Sequence, residues 1–451
     1  MKAVIIAFFV LMATAPGSVC PQAPGEAGGM TKLAALFVPH PGSEASGPAL
    51  TLADVERIAL AENPEIAVAA RRVAVAESSV SAAGALDDPS AMYRGWAVPL
   101  NQPWNYNDAQ NMFSIGRTFQ ARSKRTLRTE VAKSDVDVAK AQLAQVRLEI
   151  QVRVHKAFDD MLLAQDELRI HDQHVGIARQ AIEAARIKYA VGKVSQQDIL
   201  KAQVRLTALA EHMIRFDRDA DLAKSRLNTL QGRDPEAPLN VSGEYAAMVA
   251  LPTARALEDR ALQSRPDLAG ARIAAARSEQ EQALARKAFV PDLTLSGGYM
   301  LMPPGSTARN NYMVEGSMNL PWLNRSKHNA EIAEATAART EQDADLQALR
   351  NAAFGQIEDA LVEARASQRL VHMYQDQLRP QAEATLQASI IAYENDKTDF
   401  LDLLDSQMEV VDVDLARFQA IAEFDARMAD LELATGSSLD QQPQASPEVK
   451  P

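Results

Sequence analysis

Apolar positions spaced by threes and fours run through this chain over long distances. Val136, Ala139, Leu143, Val146, Ile150, Val154, Ala157 and Met161 form one such stripe, and Leu346, Leu349, Ala353, Ile357, Leu361 and Ala364 form another. This is the spacing of an amphipathic helix. No proline lies between Pro103 and Pro235, so nothing in that span forces a helix to stop. The pattern predicts a helix from about Arg122 to Ala190, on the order of 100 Å long at 1.5 Å per residue. A rod of that length cannot cover its apolar stripe inside a compact globule. It needs partner helices along its whole length, as in a coiled coil or a helical tube. The long helices are expected to reverse at residues 191–195 and 395–398, where Gly192 and Asn395 both tolerate a left-handed helix end. Pro380 should kink the second long helix, and Gly176, at the same offset in the first, suggests that both bend.

Two stretches switch from the helical period to strict alternation. Strand pairs are expected at about 91–100 with 111–120, and at 292–302 with 311–320. Phe113, Ile115 and Phe119 alternate with Ser114, Gly116 and Thr118, and Leu293, Leu295, Tyr299 and Leu301 with Thr294, Ser296 and Gly298. Each strand is about ten residues, the length a tilted transmembrane strand needs. Alternation fits an outward apolar face and a polar lumen, although ordinary hairpins alternate as well.

The same layout occurs twice, about 200 residues apart. Ala59-Leu60 with Asn63-Pro64 recurs as Ala261-Leu262 with Arg265-Pro266, Ser123-Lys124 as Ser326-Lys327, and Tyr189, Asp198 and Gln203 as Tyr393, Asp402 and Gln407. The period is too long for a solenoid. It divides the chain into an export signal at 1–20, a linker at 21–50, a first repeat at 51–250, a second at 251–435, and a disordered tail at 436–451.

Composition narrows the function. Lys and Arg number 47 against 59 Asp and Glu, a net charge of −12, so no basic face is offered to nucleic acid. Lys2 followed by the apolar run Ala3–Ala13 has the form of an export signal. That run is too short to cross a bilayer, so the mature chain is soluble or enters a membrane as strands. Cys20, the only cysteine, is a candidate lipid acceptor just after that run, with bulky Val19 before it where a small residue is usual. Four strands cannot close a barrel, and open edges are not tolerated in lipid. Subunits must therefore pool their strands. Two would give eight, a size that side chains fill; three would give twelve, wide enough for water.

The order of these landmarks resembles the TolC-like outer-membrane efflux family over essentially all of 51–435. The resemblance is carried by Ala59-Leu60 with Asn63-Pro64, Pro291-Asp292-Leu293, Leu320-Pro321-Trp322, and Pro380-Gln381-Ala382-Glu383 leading to Tyr393 and the run from Thr398 to Asp405. It implies a mainly α fold with a small β part: long helices forming a periplasmic α-barrel, and four strands given to a twelve-stranded outer-membrane barrel in a homotrimer. The function implied is a passive outer-membrane export duct for small molecules or metal ions. Its partners would be a periplasmic adaptor, an inner-membrane pump and outer-membrane lipids. The adaptor would dock at the tips, at Gly192, Lys193, Val194 and Ser195 and at Asp396, Lys397 and Thr398. Asp198 and Tyr393 match positions of the links that hold the tunnel tip shut. The family's arginine in that network is Thr398 here, and a glycine common in the second tip is Asp396. Asp402 and Asp405 match acidic rings near the tip.

The residues themselves agree with that reading of the carboxylates. Phe400, Leu404, Met408, Val411, Leu415 and Phe418 make the apolar stripe of the last helix, while Asp402, Asp405, Glu409 and Asp412 share another face. Threefold symmetry would make each a ring favouring cations; the plainer reading is a solvated acidic face. Of the 15 methionines, Met92, Met112, Met300, Met302, Met313 and Met318 fall in the hairpins. Alternation turns Met112, Met300, Met302 and Met313 to the lumen, where thioethers suit Cu(I) or Ag(I), as a heavy-metal branch of the CusC/CzcC-like kind would use. Gap-filling in the barrel wall is the plainer alternative. His171 and His174, a turn apart, read as a solvated helix face with no third ligand in register. No phosphate loop, HExxH or Gly-x-Ser-x-Gly elbow occurs, so neither enzyme activity nor a cofactor is expected. The competing function is an exported coiled-coil scaffold or adaptor without a pore, which would not need hairpins at equivalent places in both copies.

Overall fold

The computed structural model describes residues 48–439 apart from 99, 102, 193–194, 246–247 and 396. The export signal, Cys20, most of the linker, most of the tail, Lys193, Val194 and Asp396 lie outside the described residues. In chain order the elements are α1 (Leu52–Glu62), α2 (Pro64–Gly84), β1 (Ser90–Trp96), β2 (Gln110–Phe119), α3 (Arg122–Ala190) and α4 (Gln196–Leu230), followed by α5 (Ala254–Ser264), α6 (Pro266–Arg286), β3 (Leu293–Leu301), β4 (Asn310–Met318), α7 (Arg325–Met373), α8 (Arg379–Glu394) and α9 (Phe400–Thr435). Short helix, helix, hairpin and long helices thus occur twice.

The two halves also close alike. Asn63 caps α2, its side chain accepting from Glu65 N at 2.8 Å, while its amide donates to Leu230 O at the end of α4. Arg265, in the matching place before α6, donates to Ala434 O at the end of α9 and to Asp267. Gly232 and Gly436 follow those helix ends with φ of 69° and 78°, against Glu62 and Arg265. A Cβ there would meet backbone at under 3 Å, so glycine is required by both conformation and space.

The helical stripes are buried against one another. Ile150, Val154, Ala157, Phe158 and Leu162 of α3 pack with Val55 and Ala59 of α1 and Leu227 of α4. Ile357 and Leu361 of α7 pack with Leu257 of α5 and Leu431 of α9. At 69 residues, α3 is about 100 Å long and makes contact with α1, α2, α4, α6 and α9. It runs unbroken through Gly176, contrary to the bend expected there, because glycine keeps its N–H and interrupts no hydrogen bond. In the second half Tyr374–Leu378 form one π turn just before Pro380. That turn lets the chain pass the residue whose ring would clash with a regular helix.

The four strands form one antiparallel sheet in the order β1-β2-β3-β4. β1 ends at Trp96, four residues short of the expected strand, where Ala97 turns out of extended conformation with φ 58°. Met302 likewise lies past the end of β3. One face presents Tyr93, Phe113, Ile115, Phe119, Leu293, Leu295, Tyr299, Tyr312, Val314 and Met318, every one exposed. The other carries Ser114, Gly116, Thr118, Thr294, Ser296 and Ser317, the register pairing Ser114 with Gly298 and Gly116 with Ser296. Lys124 at the start of α3, 8% exposed, grips both oxygens of Asp292 at 3.0 Å and joins sheet to helices.

The β2–β3 seam leaves no room at Gly298, where a Cβ would lie 2.4 Å from Phe113 O and 2.9 Å from Ser114 Cβ. Gly298→Val is therefore expected to lower Tm by about 5 °C or more, while Gly297→Val, whose nearest neighbour is at 3.9 Å, leaves it within about 1 °C. Thermal melts of the purified protein check both.

Candidate functional site

The ends of α3, α4, α8 and α9 converge at one tip. Chain reversal after α3 uses Gly192, whose N–H reaches Tyr189 O at 2.9 Å. α4 then opens with a capping box: Ser195 Oγ accepts from Asp198 N, and the Asp198 carboxylate accepts from Ser195 N at 2.9 Å. The second reversal differs from expectation. Asn395 has φ −97° and not a left-handed conformation; the turn is closed instead by Lys397 N donating to Ala392 O. Asp399 then caps α9, accepting from Asp402 N at 2.9 Å. Ala181, Ile182 and Ala185 of α3, Ala202 of α4, and Phe400 and Leu404 of α9 form a core that holds the two hairpins together.

Between the hairpins lies a groove of about 940 Å³ lined by Gly192, Ser195, Asp198, Tyr393, Lys397, Thr398 and Asp402, with Lys188, Asp399 and Phe400. Seven residues singled out from the sequence thus share one site. Asp405 lies apart, in a groove of about 410 Å³ with Arg205 and Lys201. The methionines of the hairpins belong to the sheet at the opposite end of α3.

Within this chain, Asp198 and Tyr393, the two positions that match the family's links, each have other partners. Asp198 is engaged by its own helix cap. Tyr393 instead holds the Lys188 ammonium, 3.6 Å from its ring centre, while its hydroxyl is buried with no partner among the described residues. A cation over an aromatic ring contributes ~0.5–2 kcal/mol, more as water is excluded. Arg205 of α4 bonds Asp405 of α9 at 3.0 Å; both side chains are more than half exposed, so this pair contributes about 0–1 kcal/mol. Thr398 donates to Asp402 at 2.6 Å within the same hairpin, where an arginine would have the reach to cross between hairpins. Lys188 and Arg205 escaped the sequence reading because contacts between helices far apart in the chain leave no spacing to recognise.

The family model for outer membrane efflux proteins matches residues 56–233 and 257–437. The chain belongs to that family. Cobalt-zinc-cadmium resistance protein CzcC of Cupriavidus metallidurans is 26% identical over 368 residues, covering 81% of this chain and 84% of that protein. Nickel-cobalt-cadmium resistance protein NccC of Alcaligenes xylosoxydans xylosoxydans is 22% identical over 333 residues, covering 69% and 74%. A crystal structure of CusC superposes with a TM-score of 0.73 at 16% identity, over 89% of this chain and 97% of that one. This outer membrane efflux protein is therefore a channel of tripartite efflux, with a periplasmic helical tunnel. Among its described residues no helix is long and apolar enough to cross a membrane.

Above the tip, the efflux protein buries polar groups between its helices. His171 and His174 are 0% and 3% exposed, which corrects the solvated face expected for them. They point toward α4, where the His212 ring centre lies 6.5 Å from that of His171 and Phe216 lies 5.6 Å away. Both ring nitrogens of His171 and Nε2 of His174 have no hydrogen-bond partner among the described residues. Burial, with the neighbouring His171 and His212, pulls His174 down to about 4. Asp412 on α9 is held above the usual carboxylate range by burial and Glu409. Further up, Asp159 of α3 is 4% exposed and Asp425 of α9 1% exposed. Burial, then Asp425 and Asp160, pushes Asp159 up to about 8. Among the described residues, no three His, Cys, Asp or Glu side chains converge as a metal set.

These two clusters give the tunnel wall opposite pH slopes. Unfolded His174 takes its proton near 6.5 and folded His174 only near 4, so the unfolded chain binds more protons between them and stability falls as pH drops through that window. Folded Asp159 keeps its proton up to about 8, against 3.8 unfolded, so stability falls as pH rises across that range. His174→Gln should reduce the loss of Tm between pH 7 and 4.5 by about 2–4 °C, and Asp159→Asn should remove a loss of similar size on raising the pH from about 5 to 8. Thermal melts across pH check each.

Proposed function

We propose that three copies of this chain close into a passive duct: a twelve-stranded barrel in the outer membrane, continued through the periplasm by the long helices. The observation that carries this reading is the four-stranded sheet whose outer strands, β1 and β4, are each paired on one side only among the described residues. An unpaired strand edge in hydrocarbon leaves backbone groups unsatisfied at several kcal/mol each. Joining β4 of one copy to β1 of the next removes every edge, and three copies give a barrel wide enough for water. The exposed apolar face of the sheet then meets outer-membrane lipid.

The tips dock a periplasmic adaptor through the 191–195 and 395–398 turns, and an inner-membrane pump supplies the energy. The duct itself performs no covalent chemistry. CzcC and NccC are named for divalent metal resistance, which supports metal ions as cargo. Opening requires α8 and α9 to move away from α3 and α4. Lys188–Tyr393 and Arg205–Asp405 are the polar contacts that such a movement breaks, together with the apolar packing of Phe400 and Leu404 on α3 and α4. Both polar contacts are weak enough to yield to a partner's binding. Asp402 and Asp405 line the narrowing path, where threefold symmetry makes rings that favour cations.

The purified protein is expected to run as a trimer and to conduct ions in planar bilayers. A monomer released from membranes by carbonate and without conductance would favour the pore-less scaffold. Lys188→Ala with Arg205→Ala should raise conductance several-fold by loosening the closed tip. Asp402→Ala with Asp405→Ala should weaken block by a multivalent cation such as hexamminecobalt by about tenfold; unchanged block would refute the rings.

A further inference from the structure

We propose that the water-facing side of the barrel, near its outer mouth, carries a thioether site for a soft monovalent cation, Cu(I) or Ag(I). The site rests on the channel reading, because that reading decides which face of the sheet meets water. Each strand contributes one methionine to this face: Met92 from β1, Met112 from β2, Met300 from β3 and Met313 from β4. The register sets Met112 directly opposite Met300. In the next row Met92 pairs with Ser114, Ser114 with Gly298, and Gly298 with Met313. Ser114 is buried and Gly298 has no side chain, so the middle of that row is a low floor flanked by two long side chains. Neighbouring strands are about 4.8 Å apart and diagonal neighbours about 7–8 Å. Three rotatable bonds bring the sulfurs of Met92 and Met313 over that floor toward the Met112–Met300 pair.

Packing does not account for this choice of residue. Within the four described strands, no Leu, Ile, Val or Phe occupies the face. A methionine that fills gaps sits among other apolar groups; these are half-buried or exposed on a face otherwise made of Ser, Thr and Gly with Arg94, Gln110, Asn311 and Glu315, where Trp96 is the one other large apolar side chain. The lipid-side face, where apolar bulk is needed, uses Phe, Ile, Leu, Val and Tyr, with Met318 its one methionine. Branched and aromatic residues also suit a strand better than Met. What the thioether supplies and those residues do not is a neutral, soft donor, which selects Cu(I) and Ag(I) over hard or borderline divalent ions.

The site is built to release its ion as well as to hold it. Arg94 lies on the same face, in the row of Met112, and its guanidinium donates to Met92 Sδ at 3.5 Å. Its charge opposes a bound cation, so Met112, Met300 and Met313 form the core, and Met92 joins when Arg94 swings aside. Conduction needs this balance, since a site that binds too tightly plugs its own pore.

The test uses the purified full-length trimer carrying Cys20→Ser, which removes the one competing thiol. Ag(I) is the probe and Zn(II) the control. X-ray absorption at the silver edge is expected to report about three thioether sulfurs per bound ion. Ag(I) should block single channels reversibly, with a tenfold or greater loss of block in the Met112→Leu, Met300→Leu, Met313→Leu variant and no change in its Zn(II) response. Equal Ag(I) block in both proteins, or silver held only by nitrogen and oxygen, would overturn the proposal. If the triple variant does not assemble, Arg94→Ala decides: tighter Ag(I) block supports the site, and unchanged block overturns it. A protein that binds silver through these sulfurs yet conducts no ions would keep the site and sink the channel.

Discussion

A backbone hydrogen-bonding group cannot be left unpaired in hydrocarbon, and this chain brings to the membrane a sheet with two open edges. Nearly everything else about the molecule answers to that constraint. Helices satisfy their own backbone, so the long ones need only cover their apolar stripes, and they do so against each other. The sheet has no such internal solution. Its edges, open among the described residues, are what the proposed joining of copies would close.

The same need for closure divides the molecule into stiff and yielding parts. Near the sheet, Lys124 is almost fully buried on Asp292 and the Ser114–Gly298 seam is packed to contact. In the middle, the capping residues Asn63 and Arg265 tie each half to the end of its own last helix. At the tip, the polar contacts between the α3/α4 hairpin and the α8/α9 hairpin are an exposed ion pair and a cation over a ring, individually worth little, beside a small apolar core around Phe400 and Leu404. A gate has to be drawn from the weakly held end of a structure, and the proposed opening would act at that end of α3. Between these extremes, ionisable groups are buried between helices: the histidines between α3 and α4, and Asp159 with Asp425 between α3 and α9.

Much of the fold could be read from period alone. A stripe of threes and fours with no proline carries α3 from Arg122 to Ala190, and alternation marks the hairpins. Where the reading failed, the missing information was three-dimensional. Gly176 looked like the counterpart of Pro380, but only proline removes a hydrogen bond, so only the second half needs a π turn. Asn395 was expected to turn left-handed, and the adjacent hydrogen bond from Lys397 N makes that unnecessary. His171 and His174 looked solvated because their partners, His212 and Phe216, are some 40 residues away on the returning helix.

The sequence by itself determined the kinds of element, their lengths, their duplication and the amphipathic face of each, because these depend on local period and on neighbours a few residues apart. It also displayed the carboxylates, turns and methionines from which a gate or a site would be made. Only the tertiary structure decided which of those groups meet: that Asp198 serves its own helix cap, that Lys188 and Arg205 span the tip, and that one methionine from each strand falls in two adjacent rows. Such pairings are set by the packing of helices and the register of strands, in which residues distant along the chain become neighbours. No local rule in the sequence encodes them.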